Sequence, residues 1–148
     1  MTLLHSTLVA TSPGFAMGVE VSSGAEMTVV NTAIQSSDVA LHTAGAIGLH
    51  GVFLDAPCAL GDRSICDAAT TEQVSSCTWF GCQAAEACTV GDAGLGGAGL
   101  DPWVPSANSP LIDAGVDVSG WSTDADLDLC GTPRPLGGAN DIGAVELR

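Results

Sequence analysis

The sequence has no lysine and no tyrosine, and its only cationic side chains are Arg63, Arg134 and Arg148. Against them stand 17 acidic residues, giving a formal net charge of -14. A surface of that sign repels phosphate backbones and anionic headgroups, so nucleic acid and anionic membranes are poor partners. No apolar run approaches the roughly 18 residues of a spanning helix, which excludes a transmembrane helix. The opening M-T-L-L-H-S-T-L-V-A has neither a basic start nor a long apolar stretch, so it does not read as a signal peptide.

Chemistry-bearing motifs are also scarce. There is no nucleophile elbow, phosphate loop or dinucleotide fingerprint. No C-x2-C occurs and no histidine follows His50. Zinc therefore has only the C-x4-C of Cys77 and Cys82 to recommend it. The six cysteines, Cys58, Cys66, Cys77, Cys82, Cys88 and Cys130, are read instead as disulfide candidates in an oxidising compartment. Most are expected to pair within 58–88, with Cys130 either bridging to that loop or left over.

What the chain has is small apolar residues and turns. Hydrophobic residues make up 46% of it, yet it holds only three Phe and three Trp beside 19 Gly. That mixture suits narrow strands and tight turns better than long helices, so an all-β fold is expected. Residues 1–56 carry an imperfect repeat. Leu4-His5-Ser6-Thr7-Leu8 aligns with Val30-Asn31-Thr32-Ala33-Ile34 and with Leu49-His50-Gly51-Val52-Phe53, and Val19 and Val21 align with Val39 and Leu41. Stacked repeats would put Leu8, Ile34 and Phe53 in one interior column, with His5, Asn31 and His50 as stacked polar turn residues.

Residues 57–100 interrupt the repeat with a cysteine-rich insertion, in which 68–74 and 83–88 suggest short helical turns. Trp79-Phe80 is either the insertion's own small core or a sugar-stacking platform. Residues 101–148 would form a terminal coil and cap. There, Leu111-Ile112 and Ile142-Gly143-Ala144-Val145 read as brief strands around a turn rich in Asp, Gly and Pro.

Within that last stretch, Ser109-Pro110, Ile112-Asp113, Gly115, Arg134-Pro135, Asp141-Ile142-Gly143-Ala144 and Glu146 resemble a known carboxy-terminal signature, S-P-x-I-D-x-G, D-x-D-G-x-x-R-P and D-I-G-A-x-E. It is that of secreted bacterial right-handed parallel β-helix proteins, the pectate-lyase-like group with the "choice-of-anchor Q" label. The chain departs at Asp128-Leu129-Cys130-Gly131, where that family usually reads Asp-Gly, so the central turn is longer here. The resemblance implies a short right-handed parallel β-helix, a solenoid of about three coils, with the cysteine-rich insertion and a terminal cap. With the cysteines, it also implies a secreted or cell-surface protein of which this chain is the carboxy-terminal part. An uncapped first coil would expose an edge for self-association.

The family prompts cleavage of acidic polysaccharide, but the repeats offer no cation to neutralise a uronate. Their acidic residues Glu20, Glu26, Asp38 and Asp55 form no aligned pair. The expected role is therefore a structural or carbohydrate-binding, adhesive module contacting polysaccharide or cell-surface components. The alternative is part of a lyase or glycoside hydrolase whose active site lies on upstream coils. Asp124, Asp126 and Asp128 are the one candidate metal set, with calcium as the cation, although Leu129 stands where such a loop wants Gly. The competing reading is structural: the aspartates cap turns, and Arg134 pairs with Asp113, Asp128 or Asp141 to lock the terminal coil.

Overall fold

A computed structural model describes residues 1–61, 64–96, 101–122 and 126–147. The protein is all-β, with a single short helix among the described residues. One sheet contains β1 (Thr2–Leu4), β2 (Thr7–Ala10), β4 (Glu26–Ser36), β6 (Ala46–Asp55), β9 (Cys82–Glu86) and β10 (Thr89–Val90). In it β1 and β2 lie end to end along β4, and β9 and β10 end to end along β6, so the order runs β1/β2, β4, β6, β9/β10. The second sheet runs β3 (Met17–Val21), β5 (Val39–Thr43), β7 (Cys58–Gly61), β8 (Cys66–Ala68). Every pairing is parallel except β7 with β8.

The first sheet bends along one column of residues. Leu4 pairs with Val30, Val30 with His50 and His50 with Glu86; beyond the bend Thr7 pairs with Ala33, Ala33 with Phe53 and Phe53 with Thr89. The next residue of each strand line, His5, Asn31, Gly51 and Ala87, has a positive φ, of 45°, 44°, 60° and 50°. A left-handed residue at the same height in successive strands turns them all through the same angle, so the sheet creases without losing its ladder. At Gly51 a side chain would also collide with the Asn31 amide oxygen.

This register corrects the aligned repeat. Leu8 pairs with Ile34 and Ile34 with Leu54, so Leu54 and not Phe53 completes the interior column, and Gly51 rather than His50 stacks on Asn31. A slip of one residue exchanges the two faces of a strand. Ile34, Leu54, Val29, Leu49 and Ile47 face the second sheet, packing with Val21, Leu41, Leu60 and Val74. Phe53 and Ala33 point the other way and pack on Ala93, Leu111 and Ile142. In the second sheet Val19 pairs with Leu41 and Val21 with Thr43, a shift of two from the expected alignment that keeps the same face inward.

The cysteine-rich stretch contributes strands to both sheets. Cys58–Cys66 ties β7 to β8, and Cys77–Cys82 closes the turn before β9. Cys88 is a buried free thiol and Cys130 an exposed one, so neither of these candidates is paired. Helix α1 (Thr71–Ser75) starts at Thr70, whose side chain and that of Gln73 form a capping box. The helical turn expected over 83–88 is instead strand β9, because its backbone completes the ladder of β6. Trp79 packs on the main core and donates its indole N–H to the Val74 carbonyl at 2.9 Å, whereas Phe80 is exposed.

The described residues of the terminal segment, 101–122 and 126–147, cross the outer side of β4 and β6 and form no strand, contrary to the expected pair at 111–112 and 142–145. Turn bonds and side chains take up its amides in place of a ladder. Leu111 N–H goes to Ser109 Oγ, Asp113 N–H to Asp141 Oδ1 and Ala144 N–H to Thr7 Oγ1. Gly143 N–H reaches the Asn31 carbonyl, and φ of 117° with Thr7 Oγ1 close by leaves no room there for a side chain.

Candidate functional site

The carboxy-terminal acidic residues converge on Arg134, which forms a cis peptide with Pro135. Its partner is Glu146, at 2.6 Å, rather than Asp113, Asp128 or Asp141, and the two side chains are 1% and 0% exposed. Arg134 also donates to the carbonyls of Asp141 at 3.3 Å and Gly143 at 2.9 Å. Burial lowers the guanidinium pKa, and the charges of Glu146, Asp128 and Asp141 act against that. Glu146 was missed as the partner although it closes the D-I-G-A-x-E motif; Arg134 was given only aspartates to choose from.

The carboxylates of Asp141, Asp113 and Asp128 bind backbone amides. Asp141 accepts from Asp113 and Leu147, and Asp113 from Gly138 and Ala139. Asp128 accepts from Cys130 and Thr132 through one oxygen and from Glu146 through the other. Desolvation pushes the Asp128 carboxyl up, but the amides of Glu146, Thr132 and Cys130 outweigh it and hold the pKa below the usual value. Asp126 is exposed and contributes its backbone carbonyl to Arg134 N–H, while Asp124 lies outside the described residues. Among the described residues, no group of three or more His, Cys, Asp or Glu is placed to hold a metal ion.

A second constellation lies on the outer face of β1, β4, β6 and β9. The column Thr2, Thr28, Gly48, Ala84 forms the middle of a cleft of about 370 Å³, with Glu26 and Gln83 on its borders. At one end His50 leans over Gly48 and donates from Nδ1 to Glu86 Oε1 at 2.7 Å, since a carboxylate can only accept. Trp121 from the terminal segment packs against the imidazole, with ring centroids 4.9 Å apart and planes tilted by 48°. Glu86 and Trp121 both remain partly exposed. No sequence pattern could have joined these three residues, because only the register of β6 with β9 and the path of the terminal segment bring them together.

The arrangement at Arg134 is a network in which acids organise backbone, and it leaves little for chemistry. The cleft is different: it has a wall of hydroxyl, amide and carboxylate groups, with the His50 imidazole at one end. Comparison of the chain with family models, with curated proteins and with solved structures returns no match.

Proposed function

We propose that this chain is the carboxy-terminal part of a right-handed parallel β-helix of the pectate-lyase-like, choice-of-anchor Q kind, carried on an exported or cell-surface protein as a structural and carbohydrate-binding module. The observation that carries the reading is the column of left-handed residues His5, Asn31, Gly51 and Ala87 at one height in successive parallel strands. Equivalent bends in equivalent rungs are what a repeated coil requires, and each rung is stabilised mainly by its neighbours. Two disulfides are compatible with an extracellular setting. The terminal segment then acts as a brace, locking two strands of the stack through Asn31 and Thr7.

Removing residues 1–21, which carry β1 to β3, tests the repeat. A stack of rungs keeps the remaining strands and loses circular-dichroism signal in proportion to the deletion. Complete collapse of strand structure would overturn the reading in favour of a single cooperative globule.

A further inference from the structure

Strands β1, β2 and β3 lie first in their sheets, and among the described residues each is paired on one side only. The carbonyls of Met1, Ser6 and Ala10 and the amide of His5 bond toward β4. By alternation the amides of Thr2, Leu4, Thr7 and Val9 point away from it, and they have no acceptor among the described residues. The core is incomplete at the same end. Leu8 continues the column of Ile34 and Leu54, yet those two are fully buried while Leu8, like Leu3, is only partly so. Beside this edge Leu4, Leu8, Leu127 and Leu129 line a cavity of about 520 Å³, and Leu127, Leu129 and the nearby Val9 are exposed. Asp128 turns its carboxylate inward onto three amides, which leaves the rim apolar.

Exposed edges are ordinarily blunted by charge, by proline or by a covering element. Here, in a chain of net charge -14, residues 1–19 contain no Asp, Glu, Lys or Arg, and Pro13 falls between β2 and β3. The far end is built differently. There β9 is open, but the Val90 amide goes to Thr71 Oγ1, α1 packs against β9 and β10, β8 runs antiparallel and is tied by Cys58–Cys66, and Glu72 and Glu86 are exposed. Head-to-tail stacking therefore meets a partly covered, acidic face. A second copy that presents its own β1 and β2 brings no charged side chain to the contact, and a two-fold axis sets the facing strands antiparallel, a pairing that a bare parallel edge accepts. We propose that β1 and β2 form the interface of a two-fold dimer of this chain, edge against edge, with Val9, Leu127 and Leu129 packed around it. The proposal goes beyond the repeat reading and does not depend on it; a preceding coil is the competing occupant of the same edge.

Sedimentation equilibrium of the intact 148-residue chain over a range of concentrations, with hydrogen exchange on the same samples, tests it. A monomer–dimer equilibrium is expected, with the amides of Thr2, Leu4, Thr7 and Val9 protected in the dimer. Val9→Asp sets like charges face to face, and Val9→Pro deletes an outward amide while leaving the bonds to β4. Each should weaken dimerisation at least about tenfold while strand content by circular dichroism holds. Leu129→Asp, at a side chain 71% exposed, repeats the test outside the strands. Phe80→Asp, at an exposed apolar residue beside α1, should leave the dimer unchanged. A monomer at every concentration would overturn the proposal and assign the edge to a preceding coil. Open-ended polymers, a dimer that Phe80→Asp weakens as much as Val9→Asp does, or edge amides that exchange freely in the dimer would overturn it as well.

Discussion

The Asn31 side chain and the Val116 backbone, 85 residues apart, exchange two hydrogen bonds: Nδ2 donates to the Val116 carbonyl and Oδ1 accepts from its amide, both at 2.7 Å. Asn31 is fully buried and holds a left-handed backbone that asparagine tolerates better than most residues. It therefore both creases the sheet and fastens the terminal segment to it.

Asn31→Ala removes both bonds and puts a less tolerant residue at a positive φ. A loss of about 2 to 4 kcal/mol is expected from the orphaned Val116 amide and backbone strain, while Asn140 Nδ2 still donates to the Val116 carbonyl. Asn31→Gly keeps the crease but not the clasp. In urea melts the glycine variant should therefore recover part of the loss, and hydrogen exchange should rise at 111–118 in both. An alanine variant with wild-type stability would show that the clasp contributes nothing.

The β class was legible because small apolar residues and many glycines suit narrow strands and tight turns, and the aligned segments led by Leu4 and Val30 do pair in parallel. The third repeat was misplaced by one residue because Leu49 and Leu54 are both apolar, and so is Phe53. Alternation could not decide among them when β4 and β6 are buried on both faces, under the second sheet and under the terminal segment. The terminal motif was legible as residues but not as conformation. Leu111 and Ile142 look like strand residues, and the Ile142 amide does reach the Leu111 carbonyl, but the amides of Leu111, Asp113 and Ala144 go to the side chains of Ser109, Asp141 and Thr7, so no ladder forms. The His50, Glu86 and Trp121 cluster was invisible, since nothing local encodes a contact set by strand register.

Thiol chemistry follows from the pairing. Cys88 is buried, and that burial, with the nearby Glu86 charge adding to it against one backbone hydrogen bond, pushes its thiol up to about 11. Cys130 is exposed. Iodoacetamide at neutral pH should modify Cys130 in the native protein, and Cys88 only after denaturation. Cys58, Cys66, Cys77 and Cys82 should react only after reduction. Rapid native labelling of Cys88 by mass spectrometry would contradict the packing described.

His5 makes stability depend on pH. Burial, with the Arg134 charge adding to it, lowers its pKa from 6.5 to about 4, and neither ring nitrogen has a hydrogen-bond partner. The unfolded chain binds a proton at His5 as pH falls below 6.5, while the folded chain does not until about 4. The unfolded state thus takes up more protons across that window, so stability is lost as pH falls through it and levels off below it for this group. His5→Asn, which retains a residue suited to positive φ, should flatten the decline of melting temperature between those limits. A decline unchanged by the substitution would assign it to other groups.

Arg134 and Glu146 form a buried pair whose value lies in being complete. Taking either charge out of water is costly, and the 2.6 Å contact together with amides from Leu136 and Asp141 offsets that cost only while both partners remain. Arg134→Ala leaves Glu146 buried with two backbone amides but no counter-charge, and Glu146→Ala leaves the guanidinium with carbonyls as its hydrogen-bond acceptors, so each should cost about 3 to 5 kcal/mol. The double variant Arg134→Met with Glu146→Leu removes both charges and keeps volume, and it should be clearly more stable than either single variant. Calcium should not rescue Arg134→Ala, because both oxygens of Asp128 already accept amide protons. Chemical denaturation of the three variants with and without calcium decides this: additive losses in the double variant would show that the two residues act independently, and a calcium-dependent recovery would assign the terminal aspartates to a cation instead.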